Sequence, residues 1–471
     1  MSARLTTQRP LEAGPARAAA EPVTTARLTG CWLLLAIVVI AWWPGDVSWL
    51  IDEPRIIANA WHANHDRQLA EGGLYGNFGI RYGPFPTQIY QLLLLITHDP
   101  RGLVVLRVLL SAGVTAAALW WMARSLALPG WFAAALLITP HAAAYHRVLW
   151  DASFAMPVGA VALAALALVF QGRYIVQAGG QVLARFTANP SGGYPGGGSH
   201  ALAAVAPLLG GNLLSGADYL DSLAKSDAPR WLDGAAKWSA RLIHPILWLG
   251  IGICATRAFA VLRLWRNGRA PTATDAWPVR DSLATVAVLG LLLQAALFGA
   301  MRIPPAPQYF FGTFALHAFA GWIAVDCLYR WRAGRLAGYA FATSAAFLTI
   351  NAAWTIHRRG FERPGWPTLS NSLAVVHELN RYAAPAVFTD IELLKRSPQI
   401  ICTLRLLVPQ PTDPPPHRAG RLLVTHRLHD GRPAAELTVV EIPPGAGPPP
   451  SSAPLDVTPL PRGWMPDPGT W

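Results

Sequence analysis

The stretch Trp49-Leu50-Ile51-Asp52-Glu53-Pro54 decides how this chain is read. Immediately before it, Cys31 to Trp43 is almost wholly apolar, so the two acids follow the end of a segment suited to lipid. An acidic pair in that place stands just above a bilayer, where a carboxylate stays ionised yet meets a lipid headgroup. Asp52 is therefore a candidate catalytic residue, with Glu53 beside it. The same six residues also suit a plain helix start, with Pro54 in the first turn and acids near the positive end of the dipole. Both readings stand on this stretch alone.

Of 471 residues, 53% are hydrophobic and 14% are charged, and the mean hydropathy is +0.31. That balance lies outside the usual range for a soluble enzyme and predicts an all-α polytopic membrane protein. The net charge of +12 comes almost entirely from arginine, because Lys225, Lys237 and Lys395 are the only lysines. No helix-turn-helix, zinc-finger or RNA-binding aromatic pattern accompanies it, so nucleic acid is not an expected partner. Topogenic charge in cytoplasmic loops accounts for the arginines, with anionic headgroups as natural partners. Arginine in place of lysine also fits a GC-rich bacterial genome, and hence a bacterial inner membrane. The four cysteines show neither a disulfide framework nor metal-ligand spacing.

Residues 1–30 are rich in Ala, Arg and Thr, with Arg4, Arg9, Arg17 and Arg27, and read as a disordered cytoplasmic tail ahead of a signal anchor. About nine spans are expected, near 31–45, 84–97, 103–122, 128–145, 153–171, 245–265, 282–301, 309–329 and 336–356. The N-terminal membrane module thus covers 31–171, with a first catalytic loop at 46–83, and the second module covers 244–356. Within the first loop, Ile56, Ile57, Ala60, Trp61 and Asn64 recur at helical spacing and predict an interfacial amphipathic helix. His62, His65 and Asp66 on that helix are candidate ligands for a divalent metal ion, although such residues are commonplace on a polar helix face. The Gly-rich stretch 72–79 lacks the lysine and the setting of a phosphate loop and reads as turns.

Residues 172–243 form an expected extracytoplasmic loop with a flexible Asn189-Pro-Ser-Gly-Gly-Tyr-Pro-Gly-Gly-Gly-Ser199. In that loop Leu202 to Leu214 is apolar, but Pro207 and Gly210-Gly211 argue for an interfacial piece. The clusters Arg263, Arg266, Arg269, Arg280 and Arg330, Arg332, Arg335 both mark the inside, which places the C-terminus outside. Residues 357–444 should form a small α+β region, with a helix over 371–382, a mixed piece over 386–407 and strands near 422–425 and 437–442. The Pro-rich tail 445–471 should be disordered.

With these residues in place, the chain resembles the C-type superfamily of membrane glycosyltransferases, which includes protein O-mannosyltransferases and the aminoarabinose transferases of lipid A. The resemblance rests on Asp52-Glu53 in the first outer loop, on Tyr82-Gly83-Pro84-Phe85-Pro86 before the second span, and on Arg107-Val-Leu-Leu-Ser111-Ala112-Gly113. Looser matches are Arg147-Val-Leu-Trp150-Asp151-Ala152-Ser153 and Pro307-Gln308-Tyr309. It implies transfer of a sugar from a polyprenyl-phosphate donor to a lipid, glycan or protein acceptor on the extracytoplasmic face, with Asp52 as base. Arg81, Arg107, Arg147 and Arg302 are candidates to stabilise the leaving phosphate, and Tyr82, Asp151 and Tyr309 to line the substrate. The span count sets Arg147 and Asp151 on the cytoplasmic side, in conflict with a role beside Asp52; as topogenic charge and its partner they need no such role. A transporter or flippase of a lipid-linked substrate and a non-enzymatic scaffold are the rival readings. The charges visible in the sequence mostly lie at span ends, which favours sugar transfer over transport.

Overall fold

The computed structural model describes residues 41–49, 52–74, 83–126, 135–169, 229–267, 279–301, 313–329, 332–359, 367–382, 385–390, 397–408, 420–429 and 432–458, with isolated positions in 31–38 and at 128. Among the described residues, the helices from Asp52 up to the C-terminal region are α1 Asp52–His65, α2 Phe85–Ile96, α3 Pro100–Ser125, α4 Pro140–Tyr145, α5 Ala155–Val169, α6 Arg230–Arg266, α7 Val279–Met301, α8 Phe314–Tyr329 and α9 Arg332–Arg359. A 3₁₀ turn, Asp151–Phe154, lies between α4 and α5. Among the described residues, two helices are long and apolar enough to cross a membrane, α3 and the Arg230–Arg263 part of α6. The apolar helices Phe85–Ile96, Ala155–Leu166 and Phe314–Leu328 are shorter. The expectation of about nine spans is therefore not supported: among the described residues two helices meet this criterion.

Two expected spans take a different form. Over 84–97 there is only the twelve-residue α2, about 18 Å of helix against a hydrocarbon core of about 30 Å. Phe85, the first residue of α2, meets Phe154 edge-on at 5.9 Å, while Arg101, just past the other end, acts on Asp46. Through Gln91 and Gln88, α2 instead packs beneath α1: the Gln91 amide donates to Asn64 and to the Gln68 carbonyl and accepts from the Ala70 amide, and Gln88 donates to the Ala70 carbonyl. The expected span at 128–145 is interrupted at Ile138-Thr139, and α4 starts afresh at Pro140, whose ring cannot continue the preceding ladder.

Charged side chains mark the two ends of the bundle. At one end Arg280 bonds the Leu126 carbonyl and Asp326 at 3.0 Å, and Arg257 bonds Asp281 at 2.7 Å. At the other end Arg147 bonds the Trp43 carbonyl and His357 bonds Asp46. Arg147 and the turn that carries Trp150 and Asp151 therefore lie at the same end of the bundle as Asp52, whereas the span count sets them opposite it. Between the ends, α5, α6, α8 and α9 enclose a core that includes Phe314, Phe319, Trp322 and Phe341. At Gly250 a Cβ would stand 2.0 Å from the Ala320 carbonyl oxygen, so glycine alone lets α6 and α8 approach this closely.

The C-terminal region is α+β, as the sequence predicts. Helix α10 spans Leu369–Leu379 and α11 spans Ser397–Leu407. Strands β1 Ala386–Asp390, β2 Arg421–His429, β3 Arg432–Glu441 and β4 Ser452–Leu455 form a sheet of order β3-β2-β1-β4. Strand β1 is parallel to β2 and antiparallel to β4. Strand β4 falls in the stretch expected to be disordered. It lies at the sheet edge, where Pro454 withholds a donor at little cost.

This region is joined directly to the first loop. The Leu369 amide donates to the Val47 carbonyl, the Ser370 amide to the Gly45 carbonyl and the Trp49 amide to the Pro367 carbonyl. The Trp49 indole donates to the Ile400 carbonyl at 3.0 Å, and the Thr403 hydroxyl to the Pro54 carbonyl at 3.2 Å. A second apolar core, with Trp49, Ile56 and Ile57 against Leu373, Ile401 and Leu404, fills the space between α1 and the C-terminal helices.

Candidate functional site

The site is built from the start of α1 and the turn after α4. Asp52 is the first residue of α1 and Glu53 the second. Ile56, Ile57 and Ala60 share the face of α1 that carries Glu53 and bury it against the second core, which fixes the helix's rotation and leaves Asp52 at the edge of that face. The two acids then divide: Glu53 is buried, while Asp52 keeps partial exposure. Asp52 accepts a hydrogen bond from the Trp150 side chain and has the Arg55 guanidinium beside it, one turn along. Burial raises its carboxyl above the ordinary carboxylate range, and Arg55 and Trp150 only partly offset that. A carboxylate in that state is a better proton acceptor than one in free solvent. The same burial lowers Arg55, and Asp52 opposes that shift.

Behind Asp52 is a fully enclosed polar layer. Arg107 of α3 is completely buried. Its guanidinium donates to the Ser153 hydroxyl at 2.9 Å and lies 3.8 Å from the centre of the Phe154 ring. Tyr90 of α2 is beside Arg107, and Glu53 and Asp151 are both within electrostatic reach of its hydroxyl. One turn along α3, Ser111 meets His146 Nδ1 at 2.7 Å. Glu53 and Arg107, named from the sequence as site residues, are thus parts of this wall and do not face solvent.

To one side, Trp43 takes φ 49°. A bulky residue enters the left-handed region only where its surroundings hold it there. Here Arg147 holds its carbonyl and the His357 ring stacks on its indole at 4.1 Å and 10°. His357 Nδ1 is 2.7 Å from Asp46 Oδ2. Burial raises the Asp46 carboxyl above its ordinary range, with His357, Arg147 and Arg101 pulling the other way. Arg147, buried like Arg107, ties the end of the first apolar segment to the turn that carries Trp150 and Asp151.

Of the residues named from the sequence, Asp52, Glu53, Arg107, Arg147 and Asp151 gather at this end of the bundle, while Arg81, Tyr82, Arg302 and Tyr309 lie outside the described residues. The metal reading for His62, His65 and Asp66 finds no support. His65 stacks on Trp61 at 5.3 Å, and among the described residues no group of three His, Cys, Asp or Glu side chains is placed to hold a metal ion. Sequence reasoning passed over Asp46, Arg55, Trp150 and His357. Arg55 carried a signal, three residues after Asp52 on a predicted helix; Trp150 lay inside a quoted segment; the pairing of Asp46 with His357, 311 positions away, had none. No family model, curated protein or solved structure matches the chain.

Proposed function

We propose that this chain is an integral membrane glycosyltransferase of a bacterial inner membrane, with its N-terminal tail inside and its C-terminal region outside. It would move a sugar from a polyprenyl-phosphate donor to an acceptor hydroxyl, with Asp52 as general base. The observation that carries the reading is the convergence of two segments about a hundred positions apart: Asp52, with Arg55 beside it, meets Trp150 at one end of an apolar helix bundle. Asp52 is the partly open carboxylate of that end, backed by buried charge. In the reaction Asp52 takes the acceptor's proton, the acceptor oxygen bonds the anomeric carbon, and the bond from that carbon to the phosphate oxygen breaks. Polyprenyl phosphate leaves with the bonding electrons. Arg55, beside Asp52 and not fully enclosed, is the cation best placed to meet the growing phosphate charge. The test is lipid and glycan mass spectrometry of a deletion strain complemented with wild type or Asp52→Asn. The reading expects a lost sugar and an accumulated polyprenyl-phosphate sugar in the deletion and in the Asp52→Asn strain. Normal glycans in both would overturn it.

A second reading, transport of a lipid-linked substrate, draws on one observation. His141, His146, His317 and Arg107 are all buried inside the bundle, and intramembrane ionisable groups of this kind mark ion or substrate paths. Transport predicts that replacing His141 and His317 by Gln halts passage of the lipid-linked sugar across the bilayer while Asp52→Asn does not. Sugar transfer predicts that Asp52→Asn halts formation of the glycosidic product while the His141→Gln, His317→Gln variant does not.

A further inference from the structure

Helix α6 is too long for the bilayer that its apolar residues match. Its 37 residues extend about 55 Å at 1.5 Å per residue, against a hydrocarbon core of about 30 Å. Its packing shows where the excess lies. Gly250 meets Ala320 of α8, and Arg257 pairs with Asp281 near the end that holds Asp326. The two helices therefore run parallel, and the residues of α6 before about His244 rise some 20 Å beyond the first turn of α8.

The composition of that overhang differs from the span below it. Leu232, Ala236, Ser239 and Ile243 are buried and recur at helical spacing. The outward side carries Trp231 and Trp238, 67% and 64% exposed, with Leu242 half exposed. Along one flank of these rings lie Arg230, Lys237 and Arg241, all exposed, against a single acid, Asp233. The Arg241 guanidinium is 5.2 Å from the centre of the Trp238 ring, and Lys237 bonds Asp233 at 2.7 Å while remaining largely in solvent. Pro245 falls where the overhang joins the span, at the place where a helix can bend. Exposed indoles flanked by cations, one membrane thickness from the basic end at Arg263 and Arg266, fit the headgroup layer of the outer leaflet and not open water.

We propose that the Arg230–His244 part of α6 is an interfacial anchor that binds anionic phospholipid of the outer leaflet, with Trp231 and Trp238 at the acyl boundary and Arg230, Lys237 and Arg241 on lipid phosphates and acidic headgroups. Charge complementarity selects the partner: three cations against the single acid Asp233 favour a headgroup of net negative charge over a zwitterionic one. The proposal is independent of the reaction assigned to Asp52.

Native mass spectrometry of the full-length protein in detergent tests it, with phosphatidylglycerol and phosphatidylcholine of matched chains as probes. Wild type should retain phosphatidylglycerol in preference to phosphatidylcholine. Each surface cation contributes roughly a fivefold factor in binding anionic lipid, so Lys237→Ala with Arg241→Ala should lower phosphatidylglycerol retention on the order of twentyfold. Lys237→Arg with Arg241→Lys should preserve it, and this variant controls for folding. Equal retention of the two lipids, or unchanged retention in the double alanine variant, would overturn the proposal. Added undecaprenyl phosphate should compete no better than phosphatidylglycerol itself; complete displacement at a small fraction of its concentration would make this a donor-substrate groove and overturn the anchor.

Discussion

Asp52 and Glu53 are adjacent in the chain, yet the rotation of α1 gives them separate roles. Glu53 belongs to a buried wall and Asp52 to the mouth of the site. Burial has raised the Asp52 carboxyl, and the sign of that shift gives a prediction. A carboxyl whose folded-state pKa is raised favours the fold fully while protonated, below its unfolded value of about 3.9, and that contribution is lost as pH climbs through the raised value. At neutral pH the ionised Asp52 therefore works against the fold. Asp52→Asn keeps the shape and can still accept the Trp150 bond, but it removes the buried charge. The variant should melt at or above the wild-type temperature in a detergent thermal scan while losing on the order of a hundred- to ten-thousand-fold in transfer rate. A helix cap would show the opposite pattern, with full activity in Asp52→Asn and about 1 kcal/mol of stability lost in Asp52→Ala. Because Arg55 holds the Asp52 carboxyl down, Arg55→Gln should move the acidic limb of the kcat/KM profile to higher pH. An unmoved limb would separate Arg55 from the base.

The position of α1 depends on the C-terminal region that covers it. Gly45 pairs with Ser370 through the backbone, and a Cβ there would stand 1.8 Å from the Ser370 hydroxyl oxygen and 3.0 Å from its Cβ. The hydroxyl can rotate away, but the Cβ cannot. Gly45→Val should therefore open the ladder, cost about 1–3 kcal/mol as overpacking and lower transfer, although no reacting group has changed. Trp49→Ala removes a fully buried indole that bonds Ile400 and should cost about 3–5 kcal/mol; thermal scans of both variants read these losses. Limited proteolysis should release the C-terminal region sooner in both, and an unchanged cleavage rate would mean that the region and α1 are not coupled. Local pattern made α1 legible in the sequence, because Ile56, Ile57 and Ala60 repeat at helical spacing, and strands β2 and β3 likewise. What covers α1 was not legible, since Trp49 and Ile400 are 351 positions apart and nothing local encodes that pairing. The short β4 was hidden by Pro454 and the prolines just before the strand, which suit an edge strand as well as a disordered tail.

For the whole molecule, an apolar run does not reveal whether it crosses or returns. Helix α2 has the composition of a span, with Leu92, Leu95 and Ile96 exposed, and only its length and its packing under α1 distinguish it. Pro140 did carry a signal, because a proline inside an apolar run breaks the ladder that the expected span needs. An α2 that returns without crossing, with the break at Ile138–Pro140, would account for Arg147 and Asp151 standing at the Asp52 end. Site-directed labelling decides whether that is correct. In a background with Cys31, Cys254, Cys327 and Cys402 replaced, single cysteines at His98, just past α2, and at Leu69, just past α1, are both solvent-exposed positions. A membrane-impermeant maleimide added to intact cells should modify both, and should leave a cysteine at Arg124, near the opposite end of α3, unmodified until the cells are opened. If α2 crossed the bilayer, His98 would change faces and be protected while Leu69 reacted. The Asp52 and Trp150 segments would then lie on opposite sides of the membrane, and no site could be assembled from them. Labelling at His98 therefore tests the convergence on which the proposed transfer chemistry depends, before any substrate is identified.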